Sequence, residues 1–571
     1  MWRRLIPRSS LGHLAPARLA SRFRGLSINS RRSLHRSTRA QAPAIRDTNR
    51  DGLFRYTSGR WLINEKHQLE QRFVKFDIDS LCSQAVSLFS SATKCVCIVK
   101  LEGNFNKAFL LTMDDGNEVI AKIPCPNAGT PSLTTASEVA TLMFLHSCTS
   151  IQVPKVLAWS SDPANPVGTE YIFMEKIRGI ALAERWETMN TLDRYKIIDQ
   201  VIEMEKVLES LKFPAYGGLY LRESAPQGYH HYPLPRDLDP AELFCVGPFC
   251  DRPIWNPGIA NRHKPVSNAV PRASFSEFAL SIPQRELDII MDSKPEVQDC
   301  LSRFDESQSL NEYTDLLQKA KAILPFISRH PSVEESADPV LWHTDLHLGN
   351  IFVSADDPTI IHGIIDWQSA QIFPLFIQTQ FPDFLRPPKN YIPGTDIPSL
   401  PDNFEELDSE EKEQAIRDKT LASQSKYYEM SCLGFNKRVY NAMSLDRRLW
   451  EPFTCCQLPL NGSLVPLRNC LIRISQDWAL LGLPGSPPFM FSDEELKIHK
   501  DQVVLYQDMV YLWDIVKTQL RTDASGWVSN ELWEITKNLN KNLFAMYIES
   551  MSEELSPHAA SRKWPFPPEG S

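Results

Sequence analysis

Apolar residues settle into helical spacing at about 78–92, downstream of Leu53-Phe-Arg-Tyr-Thr-Ser-Gly-Arg-Trp-Leu62, and then change period. From Cys95 to Leu101 the alternation is that of a strand. Gly103-Asn-Phe-Asn-Lys107 makes a turn, Ala108 to Met113 the return strand, Asp114-Asp115-Gly116 a second turn, and Glu118 to Ile123 a third strand. Helical spacing returns between Pro131 and Ser147, where Ala136, Val139, Ala140, Met143 and Phe144 share a face. Val153 to Ala158 and Tyr171 to Met174 predict two more strands around a Pro/Asn/Gly loop. Beyond Gly179 helical patterns take over, at 192–212, 310–329, 405–430, 466–482, 493–523 and 529–553, with a Pro-rich irregular stretch at 224–275. No internal repeat is present. Strands first and helices afterwards predict an α+β, two-lobed fold with a small β-rich N-lobe and a large, mostly helical C-lobe.

Length and composition fit that layout. The 571 residues exceed what one small core needs, and 42% apolar with 23% charged residues is ordinary for a soluble protein. No apolar run approaches the 18 or so residues of a membrane span, so none is expected. The 12 cysteines include no CxxC pair; buried reduced thiols rather than a zinc site are expected.

Charge sets the first 46 residues apart. Met1 to Arg46 contains 11 Arg, frequent Ser and no Asp, Glu or Lys, with Leu5, Leu11, Leu14, Leu19, Phe23 and Leu26 between them. That pattern is a mitochondrial transit peptide, and it implies the import machinery as a partner and the matrix as the location. The competing reading is a disordered basic arm for nucleic acid or anionic lipid. Without the 11 arginines the net charge falls from −9 to −20, which argues against nucleic acid as the main partner. The divisions expected are a leader at 1–46, an N-lobe with an N-terminal extension at 47–175, and a C-lobe with a C-terminal helical extension at 176–571.

The chemistry concentrates in Leu341-Trp-His-Thr-Asp-Leu-His-Leu-Gly-Asn-Ile-Phe-Val353. His343-x-Asp345-x-x-x-x-Asn350 before a short apolar strand has the spacing of a kinase catalytic loop. Asp345 at the loop tip can take the proton of an acceptor hydroxyl, and Asn350 can offer an amide oxygen to a metal. His343 is read as structural. His347 stands two residues after the Asp, where protein kinases have a Lys, and can donate a hydrogen bond to the transferring phosphate. An apolar run from Ile360 ends in Asp366-Trp-Gln, placing a carboxylate at a strand end. Asn350 and Asp366 together supply hard oxygen ligands of the kind Mg²⁺ takes alongside phosphate. Singly each residue is a common turn former; their joint order is what points to phosphoryl transfer.

HTDLHLGNIFV with IIDWQSA resembles the aminoglycoside phosphotransferase (choline-kinase-like) branch of the protein-kinase-like superfamily, over roughly 85–375. The departures are Thr344 and Leu348, neither a chemical position. The Arg-rich leader and FRYTSGRWL resemble the fungal altered-inheritance-of-mitochondria protein nine family. The branch implies ATP as cofactor, bound in the first lobe. On that resemblance Lys122 grips the α/β-phosphates, Glu138 on the following helix pairs with it, and the main chain at Met174 and Glu175 meets the adenine. Gly103 is the one glycine of the phosphate loop, a departure from GxGxxG.

The acceptor is less defined. No Ala-Pro-Glu follows Asp366, which favours a hydroxyl-bearing small molecule over a protein substrate. Phe244–Trp255 and Gln371–Leu375 are read equally as pocket lining or as packing. Two other readings stay open: a mitochondrial pseudokinase or ATP-binding regulatory module, and an atypical kinase acting on lipid or protein.

Overall fold

The computed structural model describes residues 50–250, 269–302, 305, 307–457 and 462–568. The arginine-rich leader lies outside them. A short strand β1 (Gly59–Trp61) and helix α1 (Ile78–Ser87) precede β2 (Cys95–Glu102), β3 (Asn106–Met113) and β4 (Glu118–Pro124); helix α2 (Leu133–Cys148), β5 (Val156–Ser160) and β6 (Tyr171–Glu175) follow. Strands β2 to β6 form one antiparallel sheet in the order β2-β3-β4-β6-β5. Period-two alternation sorts its faces. Phe109, Leu111, Met113, Val119, Ala121 and Ile123 point outward and are buried under Ile78, Leu81 and Ala85 of α1. Asp77 caps α1 by accepting from the Ser80 N–H at 2.7 Å.

Two of the predicted boundaries move for local reasons. The helix expected to reach 92 ends at Ser87, because Thr93 N–H donates to Asp114 at 2.9 Å and Ser91 Oγ to Asp115 at 2.6 Å, drawing 91–93 into a turn. The strand expected from Val153 begins at Val156, past Pro154, which has no N–H for a ladder.

The C-lobe is mostly helical. Its principal helices are α3 (Thr191–Ser210), α4 (Phe275–Asp292), α5 (Leu310–Ile327), α6 (Ser409–Phe435), α7 (Val465–Gln476), α8 (Asp493–Leu520) and α9 (Trp533–Met551). The segment expected to be irregular, 224–275, contains two short strands, which pair with a third that immediately precedes it. Strands β8 (Gly218–Leu221), β9 (Tyr232–Pro233) and β10 (Phe244–Gly247) pair as β8-β10-β9. Helix α4 then starts at a Ser274/Glu277 capping box and tolerates Pro283 in its interior.

Small strands carry the segments around Asp345 and Asp366. Strand β7 (Ile180–Ala181) pairs with β12 (Ile351–Val353), which pairs with β13 (Ile361–Ile364); β11 (Pro339–Leu341) pairs with β14 (Ile372–Pro374). The link between lobes lies directly on this layer. Gly179 has φ +103, and a Cβ there would sit 2.0 Å from the Val353 carbonyl oxygen. Elsewhere in the C-lobe, Tyr428 of α6 donates to Glu205 of α3 at 2.7 Å in a fully enclosed site. Burial pushes the Glu205 carboxyl up to about 8, although the Tyr428 bond pulls the other way.

Gly179→Ala should destabilise the fold by about 3 kcal/mol or more, since it adds a clash to a left-handed backbone. Gly116→Ala, at φ +87 with open space around it, should cost only about 1 kcal/mol; urea denaturation of both variants checks the contrast. A raised carboxyl means that the folded chain holds the Glu205 proton between pH 4.5 and about 8 while the unfolded chain has lost it. Its stabilising contribution is therefore complete below pH 4.5 and lost as pH rises through that window. Glu205→Gln should remove the loss, gaining at most about 5 kcal/mol over the native chain at pH 8, measured as unfolding free energy against pH.

Candidate active site

Helix α2 is buried on nearly every side, and Glu138 lies within it, 4% exposed. A carboxylate so placed needs a cation. Lys122, on the cleft-facing side of β4, supplies it: its Nζ lies 2.6 Å from Glu138 Oε1 and 2.8 Å from Asp366 Oδ1. Burial alone would favour neutral lysine, but Asp366 and Glu138 together outweigh it and hold the Lys122 pKa above its ordinary value. Two carboxylates, one 16 and the other 244 residues along the chain, thus meet on one ammonium that joins the two lobes.

The loop between β11 and β12 is fixed by its own hydrogen bonds. His347 N–H donates to the Asp345 carbonyl at 3.0 Å, Asn350 N–H to the His347 carbonyl at 2.9 Å, and Asn350 Nδ2 to the Asp345 carbonyl at 3.0 Å. That last bond commits the amide nitrogen and leaves Oδ1 of Asn350 for a cation. The Asp345 side chain is exposed at the loop tip. His347 Nδ1 accepts from Gly349 N–H at 3.0 Å, so a neutral His347 carries its proton on Nε2, free to donate outward. A side chain on Gly349 would meet that imidazole at 2.9 Å.

His343 joins this loop to the turn that bears Asp366. Its Nε2 lies 3.0 Å from the Ile365 carbonyl, and its ring packs edge-to-face on Trp367 with centroids 4.7 Å apart. Burial lowers the His343 pKa and keeps the ring neutral. Ile365 N–H closes the link by donating to the Asn350 carbonyl at 2.9 Å. Trp367 is buried and anchored by Nε1 to the Ile364 carbonyl at 3.1 Å. Between them Asp366 takes a left-handed backbone, φ +62, as does Ser369 at +61. Aspartate tolerates that conformation better than most residues, and here it accompanies the turn of the carboxylate toward Lys122.

The remaining expected positions fall as follows. Met174 lies inside β6, in register with Ile120 on one side and Val156 on the other, and Glu175 N–H donates to the Lys155 carbonyl at 2.9 Å. Gly103 sits at the β2–β3 turn with N–H to the Asn106 carbonyl at 3.1 Å, and a Cβ there would meet only that oxygen, at 3.4 Å. Within the two segments read as lining or packing, Phe249 stacks on Phe373 at 5.4 Å and Gln371 bonds Cys250, so these parts pack on one another; residues 251–255 lie outside the described residues. All 12 cysteines are free thiols. No described helix is long and apolar enough to cross a membrane. Sequence reasoning gave no role to Asn106 or Gln368, which bond across the cleft at 2.6 Å; neither residue type signals such a contact.

An antiparallel β-lobe, a helix whose Glu pairs a strand Lys, and a catalytic loop tied to an Asp-bearing turn define a kinase-like phosphotransferase fold. A model described as the phosphotransferase enzyme family matches residues 99–376. A subtelomeric hrmA-associated cluster protein of Aspergillus fumigatus is 30% identical over 505 residues, 83% of this chain and 97% of its own length. Altered inheritance of mitochondria protein 9, mitochondrial, of Saccharomyces cerevisiae is 24% identical over 574 residues, 86% of this chain and 88% of its own. Among solved structures, a putative aminoglycoside phosphotransferase from Ralstonia eutropha JMP134 aligns with TM-score 0.37 and 13% identity over 76% of this chain and 97% of that one. The chain belongs to the phosphotransferase enzyme family, in the fungal group that includes altered inheritance of mitochondria protein 9.

Lys122→Met should cost about 3 kcal/mol of unfolding free energy, because it strands the buried Glu138. Glu138→Gln keeps a hydrogen-bond acceptor for Lys122 and should cost about 1 kcal/mol; chemical denaturation of the two variants distinguishes them.

Proposed function

We propose that the chain is an ATP-dependent phosphotransferase that moves the γ-phosphoryl group of ATP to a hydroxyl of a small-molecule acceptor. The observation that carries this reading is the buried ammonium of Lys122, bonded to both Glu138 and Asp366. Lys122 is then preset to hold the α/β-phosphates. The adenine meets the main chain where the sheet gives way to the interlobe link, beside Met174 and Glu175; Met174 itself is paired on both sides and the Glu175 N–H is taken by the Lys155 carbonyl. Gly103 lies in the turn above the phosphates.

Asn350 Oδ1 and the Asp366 carboxylate are hard oxygen donors suited to Mg²⁺. When bound, Mg²⁺ neutralises charge on the β- and γ-phosphates. Asp345, exposed at the tip of a rigid loop, orients the acceptor hydroxyl and takes its proton as the new O–P bond forms and the bond to ADP breaks. His347 Nε2–H donates to a γ-phosphate oxygen as negative charge shifts. The rigid loop suits a reaction in which positioning does most of the catalysis. The leader composition and the printed name of the yeast relatives support import into mitochondria, with the matrix as the working compartment.

Asp345→Asn should lower turnover about 100-fold or more while leaving Mg·ATP affinity within about twofold. Asp366→Ala should weaken metal-dependent ATP binding instead. Radiolabelled ATP incubated with the purified chain and a mitochondrial extract reads both the turnover and the class of acceptor, by whether label enters small molecules, lipid or polypeptide. Native turnover in folded Asp345→Asn protein would falsify the assigned base, and Mg·ATP binding without any transfer would favour a regulatory module.

A further inference from the structure

A phosphate loop with one glycine cannot rely on backbone freedom to close over a nucleotide. Gly103 does not adopt a left-handed conformation, and space for a Cβ exists beside it. The loop is instead held by contacts on two sides. On the outer side Glu102 accepts from Thr57 N–H at 2.6 Å, Thr57 Oγ1 at 2.9 Å and Ser58 Oγ at 2.9 Å, and it ion-pairs with Lys100 at 2.6 Å. On the inner side Asn106 Nδ2 donates to Gln368 Oε1 at 2.6 Å. Asn106 is 8% and Gln368 6% exposed, and 262 residues separate them in sequence. Gln368 Nε2 reaches the Ala128 carbonyl at 3.4 Å, adding a second tie to the N-lobe.

Gln368 lies two residues after Asp366, on a turn whose Asp366 and Ser369 both have positive φ. Trp367, buried between them, leaves that turn no room to swing. Asn106 begins β3, directly after the loop, and shares the cleft-facing side of the sheet with Lys122 by strand alternation. The amide pair therefore spans from the base of the loop to the turn carrying the proposed metal ligand. It runs alongside the Lys122–Asp366 contact.

We infer that Asn106 and Gln368 are positioning residues for phosphoryl transfer, a buried latch that fixes the phosphate loop at a set height over Asp366. The inference rests on the phosphotransferase reading above. The latch acts on the loop that covers the phosphates and not on the adenine edge, so its loss weakens the triphosphate and spares the nucleoside.

The test is calorimetric titration of the full chain with Mg·ATP and, separately, with adenosine. Asn106→Ala and Gln368→Ala should each weaken Mg·ATP about tenfold, the effect of losing one buried hydrogen bond, with adenosine affinity unchanged. The double variant should bind no more weakly than Gln368→Ala alone, since that substitution already removes the contact with Asn106 along with the one to Ala128. The exchange Asn106→Gln with Gln368→Asn, which keeps two amides in the site, should recover most of the affinity. Equal Mg·ATP affinity in native and singly substituted chains overturns the latch and leaves the phosphotransferase reading standing. Parallel weakening of ATP and adenosine also overturns it, because that is what general loosening of the fold produces. A native chain that binds no Mg·ATP overturns the underlying reading, and the latch with it.

Discussion

A lysine ammonium enclosed by protein persists only where opposite charge surrounds it, and around Lys122 that requirement organises the molecule. Glu138 is held in a helix with almost no exposed face, so the pair fixes α2 against β4. Asp366 belongs to the other lobe, so the same ammonium draws the turn that carries it up to the sheet. Desolvation works against the charge and the two carboxylates more than restore it. The arrangement therefore stays charged, and the two lobes are joined through it.

Rigidity on the other side of the cleft comes from the backbone. The loop from Asp345 to Asn350 bonds to itself at four points, and His343 and Ile365 then stitch it to the strand end bearing Asp366. The ties are made by main-chain groups, the Asn350 amide and imidazole nitrogens, and none of them is an ion pair. The charged and proton-bearing groups that remain, Asp345, His347 Nε2 and Asp366, project from a frame that has little freedom to move. Positioning of this kind is what phosphoryl transfer demands, since its transition state leaves the protein little covalent work.

Much of this was legible in the sequence wherever local pattern and tertiary demand agree. The two hairpins from Cys95 to Ile123 show alternation because one face of their sheet is packed under α1. The loop from His343 to Asn350 was legible because its residue types and spacing together are those of a kinase catalytic loop. Helix α4 was not, since Pro283 breaks the expected pattern while burial of Phe278, Ile282 and Leu287 stabilises the helix regardless. Strands β8 and β10 were hidden for a related reason: each is four residues long, and its four positions are all buried, so neither shows alternation. The contact between Asn106 and Gln368 could not be read at all, because a pair of amides 262 residues apart has no local signature.

The two ends of the described chain extend the same logic beyond the family core. Strand β1 pairs with a strand at Trp527–Ser529, and Asn530 Nδ2 donates to the Thr57 carbonyl at 2.7 Å. Gly59 is required there, since a Cβ would meet the Trp527 indole at 2.5 Å. The Arg72 guanidinium lies 4.4 Å over Trp61, which is itself buried. Helices α8 and α9 bring their own apolar cluster of Leu512, Val516, Leu520, Leu543 and Tyr547 to support this junction. Thr57 and Ser58, the residues that hold Glu102, are thus held from behind by the C-terminal segment. A loop with one glycine gains its shape from residues recruited from both ends of the described chain, which connects those segments mechanically to the β2–β3 turn.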